Sequence, residues 1–584
     1  MQRILGIRRR AVTVGLALTV VLLPVATCSA WAQSYSVLYS FAGKATGAFP
    51  TGLIRDSAGN LYGTTQWDGE LSWGTVFKVG PTGEETTLYT FMGMADGGNP
   101  EAGLVMDSAG NLYGTTYQGG ELSACLQVAS GCGVVFKLDT AGKETALYTF
   151  TGGADGANPF AGLIMDAAGN LYGTTLYGGG SNSGTVFEID STGKETVLHS
   201  FTGGADGGNP QAGLVLDQAG NLYGTTQHGG TYLKGTVFKI AKNGEETVLR
   251  SFSGPPDGAY PVAGLVLDAA GNLYGTTFQG GNASACYSAG CGVVFKLDSS
   301  GNETVLYSFT GSTDGANPEA GVVLDAPGNL YSTTLQGGNA SACFSAGCGV
   351  VFKLDTTDTE TVLHSFGSVN NDGSNPAAGL ILDALGNIYG STQYGVSPGT
   401  ARYGTVFTIA SPGFLLSASA LTPGTVNPGA SSSSTVSVTA TGGFNGTIDL
   451  SCSVQPLPIA APACSITPNS IVAGKTATLI VTTTGPAAGT MAASAGVGSL
   501  FAIWIGLIGL AAAGPCFGLK QGSARHKNLA TMLTCLLIAF GLTFVVACGG
   551  SSVTPAGTYT ITVTGTSQSS GFARQMTQVT LTVQ

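Results

Sequence analysis

The chain has 584 residues, a formal net charge of −11 at pH 7 and a sequence pI near 4.8. Only 9% of the residues are charged, and 92 are glycine. A chain this acidic and this poor in charge lacks the basic patches that nucleic acids require, which excludes a nucleic-acid partner. Its length allows several domains, and the glycine content favours turn-rich β-structure over long helices.

Residues 1–32 are predicted to form a secretory signal peptide. Four arginines precede an apolar stretch at 11–25, and Ala30-Trp31-Ala32 supplies a cleavage site of the Ala-x-Ala type. A basic start, an apolar centre and small residues at the cleavage point are typical of export signals. The sequence therefore predicts an exported protein.

A motif of the form Asp-x-x-Gly-Asn-Leu-Tyr-Gly-Thr-Thr recurs seven times, with small changes, at intervals of 51 to 59 residues. Each copy contains four short runs rich in Val, Thr, Tyr and Phe, bounded by turn residues, which predicts four strands. In the turn, Asp caps its own backbone and Gly supplies a positive φ. The motif asparagines are Asn60, Asn111, Asn170, Asn221, Asn272, Asn329 and Asn387.

Seven repeats of four strands predict an all-β, seven-bladed β-propeller over residues 33–411. A lone strand, Tyr35–Phe41, precedes the first repeat, and the last repeat stops after its third strand at 404–409. We expect the N-terminal strand to complete the last blade and close the ring. An open β-solenoid is the alternative, but it would not produce complementary fragments at the two ends.

These repeats resemble a known family. Gly-Leu-Val-Leu-Asp-x-x-Gly-Asn-Leu-Tyr-Gly-Thr-Thr, then Gly-Thr-Val-Phe-Lys-Leu, then Glu-Thr-Val-Leu-Tyr-Ser-Phe is similar to the GloVer tandem repeat, over about residues 35–410. That family is described as choice-of-anchor: bacterial exported repeat proteins with varied C-terminal attachment segments. The resemblance implies export and attachment, and it implies no established catalysis. The blades also resemble, more distantly, the repeats of NHL-type propellers.

Cysteines occur in closely spaced pairs, and three of these pairs lie in the loop between the second and third strands of a blade. Disulfides suit an exported protein. A metal site is the alternative, but zinc normally takes four ligands and no histidine accompanies these pairs. The predicted disulfides are Cys125–Cys132, Cys286–Cys291, Cys343–Cys348 and, in the next domain, Cys452–Cys464.

Two periodic features are candidates for binding. The first is the loop after the fourth strand, where Asp-Gly could bind Ca²⁺ through carboxylates or could simply form a turn. The second is the pair of residues after Gly-Thr-Thr, where aromatic and amide groups suit sugar rings or peptide segments, unless they pack between blades. The loop aspartates are Asp96, Asp155, Asp206, Asp257, Asp314 and Asp372, and the candidate ligand-binding residues are Trp67, Tyr117, Tyr177, His228, Phe278 and Tyr394.

No catalytic residue and no metal ligand is predicted. Of the four histidines, His199 and His364 occupy a strand position, and His526 lies in the basic segment 520–528, which is predicted below to be a cytoplasmic loop. Only His228 is at the mouth of a loop in the repeats. A serine–histidine–aspartate site would need a nucleophile placed beside His228.

The C-terminal third changes in character. Residues 412–490 contain alternating Ser, Thr and Val strands that predict the first part of an immunoglobulin-like β-sandwich. Two apolar stretches at 497–519 and 529–547, joined by a basic loop at 520–528, predict a two-helix transmembrane hairpin with a cytoplasmic loop. Residues 553–584 are then expected to complete the sandwich. A hairpin packed inside a soluble domain is the alternative, and lipidation of Cys548 is left open.

Together these features predict an exported, membrane-anchored repeat protein that acts as a binding or scaffold module at the bacterial cell envelope. Its candidate partners are the membrane, through the hairpin, and a glycan or protein at the cell surface. The alternative is a propeller hydrolase or lyase that acts on an extracellular glycan or lactone.

Overall fold

A computed structural model describes residues 34–485 and 553–584, with gaps at 121–124, 126–129, 340–342, 344–346, 369–371, 396–402, 442–443, 445, 459 and 568–573. The predicted signal peptide at 1–32 lies outside these described residues. The described part of the chain is β-structure with two short 3-10 helices, Lys44–Thr46 and Cys286–Ser288.

Thirty strands form the repeat region. In chain order they are β1 (Ser34–Ser40), β2 (Ala48–Arg55), β3 (Leu61–Trp67), β4 (Thr75–Val79), β5 (Glu85–Thr90), β6 (Val105–Met106), β7 (Leu112–Thr116), β8 (Val134–Leu138), β9 (Glu144–Thr149), β10 (Ile164–Met165), β11 (Leu171–Thr175), β12 (Thr185–Ile189), β13 (Glu195–Ser200), β14 (Val215–Leu216), β15 (Leu222–Thr226), β16 (Thr236–Ile240), β17 (Glu246–Ser251), β18 (Gly258–Ala259), β19 (Val266–Leu267), β20 (Leu273–Thr277), β21 (Gln279–Gly280), β22 (Val293–Leu297), β23 (Glu303–Ser308), β24 (Val323–Leu324), β25 (Leu330–Thr334), β26 (Val350–Leu354), β27 (Glu360–Ser365), β28 (Ile381–Leu382), β29 (Ile388–Thr392) and β30 (Thr405–Ala410).

These strands form seven four-stranded antiparallel sheets, and β18 and β21 form a small two-stranded sheet beside the fifth. We number the sheets 1 to 7 from β2–β5 to the last one. Sheet 7 has the order β1-β30-β29-β28, so the first strand of the chain is the outer strand of the last sheet. β1 pairs with β30 from Ser34↔Ala410 to Ser40↔Thr405. Neither end of the repeat array therefore leaves an incomplete sheet.

The repeated turn between the first two strands of each sheet is held by its own aspartate. In sheet 1, the backbone N–H of Asn60 donates to Asp56 Oδ1 at 2.8 Å and its side-chain amide donates to Asp56 Oδ2 at 2.7 Å. Tyr62 also donates to this carboxylate at 3.2 Å. Gly59 adopts a φ of 91°, a left-handed conformation that favours glycine. The fixed residues of the motif therefore serve the turn.

A ring of hydrogen bonds joins each sheet to the next. In sheet 1, the hydroxyl of Thr64 donates to the carbonyl oxygen of Ala102 in sheet 2 at 2.9 Å. The same bond recurs around the array, and Ser391 of sheet 7 donates to the carbonyl oxygen of Thr51 in sheet 1 at 2.8 Å. Seven sheets linked in a closed circle are the arrangement of a β-propeller with seven blades. The other donors are Thr115, Thr174, Thr225, Thr276 and Thr333.

The core between sheets is a matching circle of phenylalanine pairs. A phenylalanine that follows the outer strand of one sheet packs edge-to-face on a phenylalanine in the third strand of the next, with ring centroids 5.0–5.4 Å apart. Edge-to-face pairs at this spacing are favourable beyond the apolar area that they bury. The pairs are Phe41–Phe77, Phe91–Phe136, Phe150–Phe187, Phe201–Phe238, Phe252–Phe295, Phe309–Phe352 and Phe366–Phe407.

Nine further strands form a β-sandwich. One sheet has the order β31-β33-β37-β35 and the other the order β32-β39-β38-β34-β36, and side chains from both, such as Leu479 and Ile561, are fully buried between them. β38 pairs antiparallel with β34, so strands from both sides of residues 486–552 share one sheet. The domain limits given above, 412–490 and 553–584, stay predictions. The strands are β31 (Gly413–Ala418), β32 (Thr425–Val426), β33 (Ser431–Thr441), β34 (Thr447–Gln455), β35 (Ala463–Thr467), β36 (Ser470–Val472), β37 (Thr476–Thr482), β38 (Gly557–Ser567) and β39 (Arg574–Val583).

The predicted transmembrane hairpin is wrong for the structure described here. A membrane-spanning helix needs about 20 apolar residues, and each helix in the described part of the chain has three. None of these helices has the length and apolar character that a crossing requires. The stretches at 497–519 and 529–547, with the loop at 520–528, lie outside the described residues. Two predictions that depend on this hairpin are wrong with it. They are the membrane as a partner and the membrane-anchored localisation.

Candidate functional site

An open cavity of about 480 Å³ lies on the axis of the propeller. All seven sheets contribute to it. The chain passes from each sheet to the next through a loop that contains a proline, which we call the crossover, and the cavity is lined by the residues around this proline and by residues at the end of the second strand. The lining residues are Phe49, Pro50, Thr51, Gly52, Gln66, Glu101, Ala102, Gly103, Phe160, Ala161, Gly162, Gln211, Ala212, Gly213, Gln227, Val262, Ala263, Gly264, Leu265, Phe278, Glu319, Ala320, Gly321, Val322, Val323, Ala377, Ala378, Gly379 and Gln393.

Small residues recur in this lining, and at some positions the close approach of neighbouring sheets requires glycine. The inner segments of neighbouring sheets approach so closely that a Cβ atom added at Gly321 would lie 2.6 Å from the carbonyl oxygen of Gly264. At Gly103 and Gly162 the same approach would be 3.2 and 3.1 Å, whereas at Gly379 no atom lies within 4 Å. Packing therefore requires glycine at part of this ring. Chemical variety enters one residue before the recurring Ala-Gly step, directly after the proline.

That variable position and the end of the second strand bring polar side chains into the cavity. The side-chain amide of Gln66 donates a hydrogen bond to a carboxylate oxygen of Glu101. The amide of Gln211 donates to the amide oxygen of Gln227 at 3.0 Å. Both bonds join a crossover residue to the end of a second strand. They leave further donor and acceptor capacity on these amides for a ligand.

The two acidic residues of the lining differ from ordinary surface carboxylates. Burial raises the pKa of the Glu101 carboxyl to about 7, against the opposing effect of the hydrogen bond from Gln66. Burial also raises the pKa of the Glu319 carboxyl. Desolvation disfavours the charged form of a carboxyl group. Near neutral pH the Glu101 carboxyl is therefore present in both its protonated and its ionised forms.

Aromatic side chains make up the rest of the variable lining. Phe49, Phe160 and Phe278 come from sheets 1, 3 and 5, and all three are half-buried. Tyr117 lies beside Phe160, with ring centroids 6.2 Å apart and nearly perpendicular planes. Among the described residues that line the cavity, none is Lys, Arg or His. The arrangement can therefore offer amide, carboxyl and aromatic contacts, and no cation.

The structure separates the predicted binding residues into two groups. Phe278 lines the cavity and Tyr117 packs beside its wall. The other four follow the cavity-facing position by one residue and point away from the cavity, onto its rim, because successive residues of a strand point to opposite faces. The backbone of each pairs with the segment that precedes its own second strand. These rim residues are Trp67, Tyr177, His228 and Tyr394, and all four are exposed. Binding by either group stays a prediction.

Sequence reasoning missed the residue after the crossover proline. Around it Pro, Ala and Gly recur, while this position holds Glu101, Phe160, Gln211, Val262 and Glu319 in successive repeats. Variation at one point of an otherwise repeated segment was the signal that could have found it.

The loop aspartates are engaged by their own loops. The N–H of Met92 donates to Asp96 at 2.8 Å and the hydroxyl of Tyr89 donates to it at 3.0 Å. In other repeats the place of the tyrosine is taken by His199, whose Nε2 lies 3.6 Å from Asp206, or by Arg250, whose Nη2 lies 2.8 Å from Asp257. In the part of the chain that the structure describes, no three His, Cys, Asp or Glu side chains are grouped to hold a metal. Calcium binding at these loops stays a prediction.

At three of the loop aspartates a second carboxyl faces the loop from the next sheet. Glu144, Glu246 and Glu360 begin the outer strands of sheets 2, 4 and 6, and each has a buried Oε1 with no hydrogen-bond partner among the described residues. Burial raises the pKa of each to about 7, and the charge of the facing aspartate adds to the effect. The facing aspartates are Asp96, Asp206 and Asp314.

Among the described residues four disulfides are formed, and they are the pairs expected from the sequence. Three close loops between the second and third strands of sheets 2, 5 and 6. Cys452–Cys464 instead joins β34 to β35 and so links the two sheets of the sandwich.

The Gloeobacter/Verrucomicrobia repeat family model matches this chain at residues 27–231, 124–344 and 283–449. The resemblance to the GloVer tandem repeat is thereby confirmed. No curated protein is significantly similar to the sequence.

Solved structures give only distant likenesses. An extracellular domain from B. thetaiotaomicron is 10% identical, with a TM-score of 0.40, 94% of this chain covered and 57% of that one. A second extracellular domain from the same organism is also 10% identical, with a TM-score of 0.41 and coverages of 72% and 46%. The chain thus spans about half the length of these two proteins. A polysaccharide lyase, ulvan lyase of family PL25, is 10% identical, with a TM-score of 0.27 and coverages of 69% and 96%. Scores this low support no conclusion about function.

Proposed function

The chain belongs to the Gloeobacter/Verrucomicrobia repeat family, and from this premise we propose that it is an exported binding module whose ligand site is the axial cavity. The observation that carries the proposal is the cavity itself. Its repeated lining consists of small Ala and Gly residues, whereas its variable lining brings amides, carboxyls and aromatic rings together in one cavity.

The size and chemistry of the cavity support a binding role. About 480 Å³ is within the usual range of ligand pockets, roughly 300–1,000 Å³. Such pockets combine apolar walls with a few polar groups that orient the ligand. Here Phe160 and Phe278 supply the first, and Gln211 with Gln227 supplies the second.

Four disulfides support the exported location. Disulfides form and persist in oxidising compartments and are rare in the cytosol. Those in sheets 2, 5 and 6 tie down the loops between second and third strands, which lie at the same end of each sheet as the rim residues.

An extracellular hydrolase or lyase is the second candidate, and Glu101 is the observation that favours it. A carboxyl group with a pKa of about 7 in a cavity is suited to general acid catalysis at neutral pH. Turnover of any ligand that binds, abolished in Glu101→Gln with binding retained, would establish this alternative.

The test is a glycan array and a peptide array probed with the purified protein, followed by affinity measurements on the strongest binders. Phe160→Ala and Gln227→Ala are expected to abolish binding. Leu233→Ala is the matched control, since Leu233 is 65% exposed on a loop outside the cavity. Loss of binding in Trp67→Ala or Tyr394→Ala, with the two cavity variants unaffected, would place the site on the rim and contradict the proposal.

A further inference from the structure

We propose that the ligand of the axial cavity is an uncharged saccharide, bound through side-chain amides and aromatic rings, and that uronic-acid and sulfated sugars are rejected. This inference rests on the proposed function, since it names the ligand class of the same site. Four properties of the described lining support it: the amides, the carboxyls, the aromatic rings and the lack of cations.

The amides match the hydrogen-bonding needs of sugar hydroxyls. A hydroxyl group both donates and accepts, and a glutamine side chain offers two donor hydrogens and an acceptor oxygen. Gln66, Gln211, Gln227 and Gln393 reach the cavity from sheets 1, 4 and 7. The bond from Gln211 to Gln227 fixes this pair and leaves the NH₂ group of Gln227 and the oxygen of Gln211 for a ligand. Neighbouring hydroxyls of one sugar ring fit such a fixed donor and acceptor.

The carboxyl groups fit the same ligand and oppose a charged one. Glu101 and Glu319 both line the cavity. A protonated carboxyl can donate to a hydroxyl and an ionised one can accept from it, so a neutral sugar is compatible with either form. A uronate or a sulfate group would instead add a negative charge beside two acidic side chains in a partly desolvated space.

No side chain of the described lining could compensate that charge. Recognition of carboxylate and sulfate groups relies on Arg or Lys, which form the strong charge-assisted hydrogen bonds. The described lining contains neither, and it contains no histidine. The ammonium group of Lys234 lies outside this lining and donates a hydrogen bond to the hydroxyl of Tyr260 at 2.6 Å.

The aromatic rings supply the apolar part of sugar recognition. A pyranose ring presents C–H groups on its faces, and these pack on the face of an aromatic side chain. Phe160 and Phe278 belong to sheets 3 and 5, on either side of the sheet that carries Gln211 and Gln227. A sugar held by the two amides therefore has an aromatic side chain on each flank.

The experiment is isothermal titration of the full-length protein with neutral and acidic tetrasaccharides of matched length. The neutral probes are cellotetraose, laminaritetraose, mannotetraose and xylotetraose, and the acidic probes are tetragalacturonate and tetraguluronate. We expect at least one neutral probe to bind and both acidic probes to bind at least about tenfold more weakly, which corresponds to about 1.4 kcal/mol. Raising the salt concentration should leave the affinity of the neutral probe unchanged.

Two variants locate the binding. Phe160→Ala and Gln227→Ala change different sheets, and each should abolish binding of the neutral probe while its melting temperature stays near that of the wild type. If one variant fails to fold, the other still shows whether the neutral probe binds in the cavity.

The outcomes distinguish this inference from the function on which it rests. Acidic probes that bind in the cavity as tightly as neutral ones, or a peptide that binds there while no neutral sugar does, would overturn the saccharide inference and leave a binding module. If the cavity variants still bind every ligand that the arrays identify for the wild type, the proposed function itself is contradicted.

Discussion

The side-chain amide of Gln66 donates a hydrogen bond to the carboxyl group of Glu101, and this contact joins sheets 1 and 2 across the lining of the axial cavity. It holds a carboxyl whose pKa is raised by burial at the centre of the proposed site. Ionisation of this carboxyl is therefore expected to make the stability of the fold depend on pH.

Replacing Glu101 by glutamine is expected to stabilise the protein at pH 8 and to leave it unchanged at pH 4. In the folded state the pKa of Glu101 is about 7, above the ordinary value of about 4.3. The free energy of unfolding of the wild type therefore falls as the pH rises from the pKa of the unfolded chain to that of the folded protein. Over this range the carboxyl ionises in the unfolded chain but stays largely protonated in the folded one. We expect a gain on the order of 1–2 kcal/mol at pH 8 from chemical denaturation. Glu70→Gln, at an exposed position, is the control; equal gains in both variants would contradict the assignment.

The same reasoning applies to the carboxyls between sheets. Burial and the facing aspartate raise the pKa of Glu246 to about 7, so its ionisation opposes folding as the pH rises towards 7. Glu246→Gln should raise the melting temperature at pH 8 and flatten its pH dependence between pH 5 and 8. Glu245→Gln alters the neighbouring exposed residue and should change neither. An unchanged pH profile in Glu246→Gln would show that this carboxyl is not held protonated by the fold.

Closure of the ring by the first strand can be tested at Tyr35. Its ring stacks on that of His364 with centroids 3.7 Å apart and also contacts Phe407 at 5.6 Å. Tyr35→Ala removes these contacts and is expected to cost about 3 kcal/mol in the free energy of unfolding. Ser36→Ala, exposed on the same strand, should cost little. If Tyr35→Ala unfolds at the same denaturant concentration as the wild type, β1 does not hold sheet 7 together.

The disulfide of the sandwich is expected to contribute more stability than a loop disulfide. Cys452–Cys464 spans 12 residues and Cys286–Cys291 spans five, and the stabilisation by a cross-link grows with the length of chain that it closes. Removing each pair by Cys→Ala should cost about 3 and about 2 kcal/mol, respectively. Calorimetry of the two double variants measures this. A larger loss from the shorter loop would contradict the expectation.

The repeat made much of the β-structure predictable because its fixed residues act locally. Asp56 and Gly59 specify a turn wherever they occur, and the alternation around them specifies strands. The face that lines the cavity was harder to predict from the sequence. Gln66 and Trp67 are neighbours in sequence, yet Gln66 lies in the cavity and Trp67 lies on its rim. Which of them faces the axis depends on how seven sheets meet, and a single repeat does not contain that information.

The hairpin prediction failed for a different reason. Hydropathy reports the apolar content of a stretch, whereas a membrane crossing also requires a helix of about 20 residues. In the described part of the chain the helices are single short turns.

The most direct test of the central claim is a crystal structure of the protein in complex with the neutral tetrasaccharide that binds most tightly. We predict sugar density on the propeller axis, within hydrogen-bond distance of Gln211 and Gln227 and packed against Phe160 or Phe278. Density found only on the rim beside Trp67 or Tyr394, or on the sandwich, with an axis free of ligand, would contradict it.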